Sequence, residues 1–188
     1  MQQTIVVTGA SDGIGAEAAR QLSARGEHVV IVGRSPGKTA AVAEELGAPY
    51  HVADYADLSQ VRTLADELRA AYPRIDVLAN NAGGLFKAET TRDGFDKMIQ
   101  VNHLAGFLLT NLLMDRLVES GAKIIQTSSI GARWLAGRLD ADRFDGRTDR
   151  SIFTTYGDTK LMNQLFTKEL ARRYGAVIGR AILRKSGL

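Results

Sequence analysis

Short runs of β-branched and apolar residues recur along the first two-thirds of the chain, separated by longer stretches with apolar residues at three- and four-residue spacing. The short runs predict strands at 4–8, 28–33, 50–53, 76–80 and 123–127, apolar enough to be buried on both faces. The longer stretches predict helices at about 14–25, 38–46, 58–71, 95–119 and 156–174. This alternation is the signature of repeated βαβ units, so the expected fold is α/β, a doubly wound Rossmann-type parallel sheet with helices on both faces.

Residues 130–155 break the pattern. They mix Gly, Arg and Asp with the single Trp134 and sustain neither period, which predicts a long loop or insertion beside a site. No internal repeat, low-complexity tract or linker divides the chain, and one domain over 1–188 is expected. The tail is anomalous. "RAILRKSGL" reads as a helix, and no further strand–helix unit follows the 156–174 helix, so the C-terminal part of the fold is expected to be truncated or missing from the sequence.

Composition narrows the function classes. Of 188 residues 45% are hydrophobic, enough to form a real core, and 24 basic against 21 acidic side chains leave a formal charge of only +3. Although twelve of the basic residues follow position 132, no clustered basic stripe predicts nucleic-acid binding. There is no cysteine, which excludes disulfides, thiolate catalysis and Cys-ligated zinc. His28, His51 and His103 are not spaced as a metal site. No run approaches the ~20 apolar residues of a membrane span, and the opening "TIVVTGA" lacks a signal-peptide pattern, so a cytoplasmic location is expected.

Three segments carry candidate chemistry. "TIVVTGASDGIG" places Gly9, Gly13 and Gly15 between a buried strand and a helix. There glycine lets the backbone approach a pyrophosphate, and the helix N-terminus offers free N–H groups. Ser11, Asp12 and Ile14 fall inside the same loop. The second strand ends at Gly33–Arg34, with no carboxylate to meet a free ribose 2′-hydroxyl; a guanidinium there suits a 2′-phosphate, so NADP is expected over NAD. Lys38 is a candidate second cation. Finally, "YGDTK" puts Tyr156 and Lys160 on one helix face. An unperturbed phenol titrates near ~10 and a nearby cation favours the phenolate, so such a pair can exchange a proton with a substrate oxygen while hydride moves at the adjacent carbon. Ser128 and Ser129 end the strand before it, where one hydroxyl can hold that oxygen while the other makes turn hydrogen bonds.

"TGASDGIG", "NNAG" at 80–83, "VNH" at 101–103, "TSS" at 127–129 and "YGDTK" occur in the order and approximate spacing of the short-chain dehydrogenases/reductases, and the chain resembles that family over about residues 4–174. The stretch "DGFDKMIQVNHLAGFLLTNLL" and the insertion before Tyr156 look most like its retinol-dehydrogenase-like branch. The resemblance implies Tyr156 as proton donor or acceptor and Ser129 as the group steadying the reacting oxygen. Lys160 would favour the phenolate and bind the nicotinamide ribose, and Asn102 would support a proton relay through water. Asp54, beside Tyr55, would meet the adenine, and Asn80, Asn81, Ala82 and Gly83 would flank the cofactor. His103 and Trp134 are left outside the catalytic set.

The expected activity is NADP(H)-dependent oxidoreduction of an alcohol, ketone or aldehyde. The rivals are a non-catalytic dinucleotide-binding module and a dehydratase or epimerase; the glycine spacing disfavours the latter. The resemblance also extends to pairing as a homodimer through helices near Asn102 and Tyr156, although the insertion would block one such face.

Overall fold

The computed structural model describes residues 2–137, 139, 144, 151–175 and, for the backbone alone, 179–186. Six parallel strands form one sheet in the order β3-β2-β1-β4-β5-β6. They are β1 (Thr4–Thr8), β2 (His28–Gly33), β3 (Tyr50–Val52), β4 (Val77–Asn80), β5 (Lys123–Ser129) and β6 (Gly179–Ser186). The connecting helices are α1 (Gly13–Ser23), α2 (Pro36–Leu46), α3 (Leu58–Ala71), α4 (Lys97–Ile99), α5 (Ala105–Leu112), α6 (Met114–Glu119), α7 (Gly131–Trp134) and α8 (Ile152–Tyr174).

Side chains alternate across the central strands. Val6, Val30 and Val32 join one core with Leu64 and Leu68 of α3, Leu109 of α5 and Phe166 of α8, while Ile5, Val7, Val29 and Ile31 join a second core with Ala16 and Ala19 of α1 and Val42 of α2. The sheet is therefore covered on both faces. Because its order runs outward from β1 in one direction and from β4 in the other, the β1/β4 boundary is the switch point where open α/β sheets form a crevice beyond their strand ends.

Three expectations are corrected. The helix expected over 95–119 is broken. Asp96 starts it, with its carboxylate accepting from the main-chain N–H groups of Met98 (2.8 Å) and Ile99 (3.0 Å). A π turn over Gln100–Leu104 follows, and the chain leaves helical geometry at Leu113. Continuous apolar periodicity hides such interruptions, because a π turn adds a residue without removing an apolar face. The tail expected to be helical instead runs as β6 beside β5, their register extending from Lys123–Gly179 to Ser129–Ser186. The unpaired backbone edge that β5 would otherwise present outweighs local helix propensity. Finally, the expected 130–155 loop contains α7, and α8 begins at Ile152, capped by the Ser151 hydroxyl. The rest of that loop expectation falls on positions 138, 140–143 and 145–150, outside the described residues.

Candidate active site

A cleft of about 490 Å³ opens at the ends of β1, β2 and β4. The turn after β1 forms its floor. Gly9 has φ +66°, and a methyl group there would come within 2.7 Å of Ala82 Cα; one on Gly15 would come within 2.2 Å of the Gly9 carbonyl oxygen. Only hydrogen fits at either place, so the backbone can lie close to a ligand. Asp12 caps α1 by accepting from the Gly13 N–H at 2.8 Å and pairs with Lys38 at 2.7 Å. The Lys38 hydrogen bond, then the Gly13 one, holds the Asp12 carboxyl below its usual range. Lys38, the candidate second cation, is not among the residues that line the cleft and pairs with Asp12, which is.

Ser11, Asp12, Gly13, Ile14, Arg34, Asp54, Tyr55, Asn81, Ala82, Gly83, Tyr156 and Lys160 all line the cleft with Gly9 and Gly15. Arg34 is exposed and has no acidic partner among the described residues. Asp54 accepts from the Ala56 N–H at 2.9 Å. The Tyr55 ring belongs to the hydrophobic core, where burial pushes its phenol well above the usual range despite the nearby Thr8 hydroxyl. Tyr55 is thus wall rather than a polar contact. Asn80 departs from expectation as well. Its amide is buried and donates to Thr110 Oγ1 at 2.8 Å, away from the cleft, and only Asn81–Gly83 reach it.

The turn after β4 is tied to β1 by two side chains, Thr8 and Asn81. Thr8 Oγ1 accepts from the N–H groups of Asn81 (3.0 Å) and Ala82 (3.1 Å) and donates to the Ala79 carbonyl (3.1 Å). The Asn81 amide returns a bond to the Thr8 carbonyl at 3.0 Å.

Tyr156 and Lys160 stand at the other end, one turn apart on α8, with Lys160 Nζ 5.4 Å from the Tyr156 ring centroid. Lys160 is only 4% exposed and donates to the Thr127 carbonyl at 3.3 Å. Removal from water disfavours its charged form and brings it down to about 8. Asn102 and Ser129 are both buried, and neither is among the residues that line the cleft. The Asn102 amide clamps the Gly84 backbone, accepting from its N–H at 2.8 Å and donating to its carbonyl at 2.9 Å. Ser129 Oγ accepts from the Gly131 N–H at 3.2 Å, and its neighbour Ser128 donates to the Lys160 carbonyl at 3.0 Å.

The sequence reading missed Thr8, Phe86, Val101 and Asn163. Thr8 carried a signal, a polar residue ending an apolar strand, and Asn163 lies on the helix face of Lys160. Phe86 and Val101 line the cleft through tertiary packing alone. Among the described residues no cluster of His and carboxylates could hold a metal, and no helix is long and apolar enough to cross a membrane.

Residues 3–138 match the sequence model described as short chain dehydrogenase. A candidate daunorubicin C-13 ketoreductase, DnrU, of Streptomyces sp. (strain C5) is 45% identical over 184 residues, 94% of this chain and 63% of that protein. Human retinol dehydrogenase 13 is 38% identical over 91% of this chain and 54% of its own length. This chain thus spans between half and two-thirds of these relatives. Among solved structures, an uncharacterised protein from Mycobacterium Paratuberculosis superimposes with a TM-score of 0.83 at 37% identity, over 99% of this chain and 68% of that one. A candidate short chain dehydrogenase from Escherichia coli CFT073, complexed with NADPH, gives 0.75 at 27% identity over 97% and 76%. With the glycine cradle, the switch-point cleft and these relatives agreeing, the chain belongs to the short-chain dehydrogenases, an oxidoreductase family that binds nicotinamide cofactors.

Proposed function

We propose that the chain catalyses NADP(H)-dependent hydride transfer between nicotinamide and an alcohol or carbonyl substrate, with Tyr156 as general acid/base. The observation that carries this reading is that one cleft has Arg34, with no acidic partner among the described residues, at the end of β2 and the Tyr156–Lys160 pair of α8 at its other end. A cradle that methyl groups on Gly9 and Gly15 would fill is suited to a dinucleotide. When bound, the cofactor supplies or accepts the hydride.

The protein's own part is binding, orientation and proton movement. Arg34, exposed and without a carboxylate partner among the described residues, is placed to pair with a 2′-phosphate. In the reducing direction a new C–H bond forms at the carbonyl carbon, the C=O π pair moves to oxygen, and Tyr156 Oη gives its proton to that oxygen; oxidation reverses each transfer. Lys160 holds positive charge beside the phenol and can donate to ribose hydroxyls. In this reading the Ser129 hydroxyl, whose oxygen accepts from the N–H of Gly131 beside the Tyr156 ring, turns its hydrogen to the reacting oxygen, and Asn102 holds the Gly84 turn in place. Retinol dehydrogenases and a C-13 ketoreductase among the relatives point to a bulky apolar substrate, in keeping with Phe86 and Val101 on the cleft wall and Trp134, 70% exposed, just after β5.

Calorimetric titration with NADPH and NADH, followed by turnover of a panel of apolar aldehydes, ketones and alcohols on the tighter cofactor, tests the proposal. Tighter NADPH binding and cofactor-coupled turnover are expected. Cofactor binding with no turnover of any carbonyl or alcohol would instead indicate a dinucleotide-binding module.

A further inference from the structure

The Thr127 carbonyl that anchors Lys160 is itself held by a second side chain. Asn163, one turn further along α8 and 4% exposed, donates through Nδ2 to the main-chain carbonyls of Asn102 (3.1 Å) and Thr127 (3.2 Å). The second of these is the carbonyl that receives the Lys160 ammonium. Both of these partners are pure acceptors, so the nitrogen of the Asn163 amide must face them and its oxygen must face away. That oxygen lies 2.9 Å from His103 Nδ1. An amide oxygen cannot donate, so Nδ1 must carry the hydrogen. The His103 ring packs against Phe107 and Phe166, with centroids 5.9 and 6.2 Å away.

We infer that His103 and Asn163 form a positioning pair: His103, held as the Nδ1–H tautomer, locks the Asn163 amide so that it fixes the carbonyl of Asn102 and that of Thr127, the anchor of the Lys160 ammonium. This rests on the function proposed above for its catalytic consequence, but the tautomer and the amide orientation do not depend on it. Burial also favours neutral imidazole, leaving a single ring hydrogen to place. The π turn over Gln100–Leu104 is what brings both partners to Asn163, since it carries the Asn102 carbonyl and the His103 ring on consecutive residues of one segment. Neither His103 nor Asn163 lines the cleft. They act through Lys160 and Asn102.

The first test needs no turnover. In full-length protein labelled with ¹⁵N-histidine, the ring shifts of His103, assigned by loss in the His103→Ala variant, are expected to show hydrogen on Nδ1; hydrogen on Nε2 would overturn the inference. The second separates positioning from bulk. The amide nitrogen of an asparagine stands one bond from Cγ, as Nδ1 does in histidine, so His103→Asn can still donate to Asn163. His103→Ala is expected to lower kcat by about tenfold or more with the NADPH Kd within about twofold of the parent, and His103→Asn to regain most of the loss. Equal kcat in the parent and His103→Ala, or an asparagine variant no better than the alanine one, would overturn it. A parent without turnover would count against the proposed function and leave the tautomer measurement decisive for the pair.

Discussion

Lys160 Nζ lies 5.4 Å from the centre of the Tyr156 ring, with its ammonium anchored on the Thr127 carbonyl and only 4% of the residue exposed. The two functional groups of the proposed chemistry are therefore held by one helix and one strand end, and each can be removed separately.

Tyr156→Phe deletes the transferable proton and leaves the ring. We expect kcat to fall by about 10²–10⁴-fold, with NADPH affinity nearly unchanged by fluorescence titration. Turnover retained in this variant would remove Tyr156 from the reaction.

Burial of Lys160 makes stability depend on pH in a definite direction. Folding lowers it from 10.5 to about 8, so between those values the unfolded chain binds the proton and the folded chain does not. Stability from this group rises with pH across that window, and a constant penalty remains below it. Lys160→Met should raise the urea midpoint at pH 7 by the equivalent of about 1–3 kcal/mol, the difference from parent shrinking as pH climbs from 8 toward 10.5. Activity that needs the ammonium should fall through about 8.

Arg34→Ala leaves the cradle intact and removes the candidate phosphate partner. The NADPH Kd should weaken by about 10–100-fold, as expected for charged hydrogen bonds, and that of NADH by less than about threefold. Equal weakening for both cofactors in calorimetry would show that Arg34 does not read the 2′ position.

Two glycine-to-alanine changes should act in opposite directions. A methyl on Gly157, between Tyr156 and Asp158, would come within 2.4 Å of Ala136 N and 2.6 Å of the Leu135 carbonyl carbon. Moving that backbone should destabilise the protein by about 1–3 kcal/mol. Gly37 lies in α2 without a positive φ, and a methyl added there would meet nothing within 4 Å, so Gly37→Ala should stabilise by about 0.5–1 kcal/mol. Thermal unfolding of the two variants checks both signs.

Much of this was legible from residue order. The bounds of β1, β2 and α3 match their apolar runs to the residue, because buried parallel strands and capped amphipathic helices leave a local signature. The cleft lining around Gly9, Arg34 and Tyr156 followed from where strands end. What stayed hidden depends on partners distant in sequence. The π turn shows only once Asn102 meets Asn163, 61 residues away. Likewise β6 forms because β5 offers an edge, and the withdrawal of the Asn80 amide from the cleft is decided by Thr110.

The Thr8 hydroxyl joins the end of β1 to both N–H groups of the Asn81–Ala82 turn, and Gly9 packs against Ala82 without space for a methyl. The two lips of the cleft over the β1/β4 boundary therefore move as one body. Parting them would break the Thr8 and Asn81 bonds together, so opening of the cleft is expected in segments that these two side chains do not fasten. Thr8→Val, which keeps the shape and loses the hydroxyl's bonds, would leave the Asn81 amide as the remaining side-chain tie between the two lips.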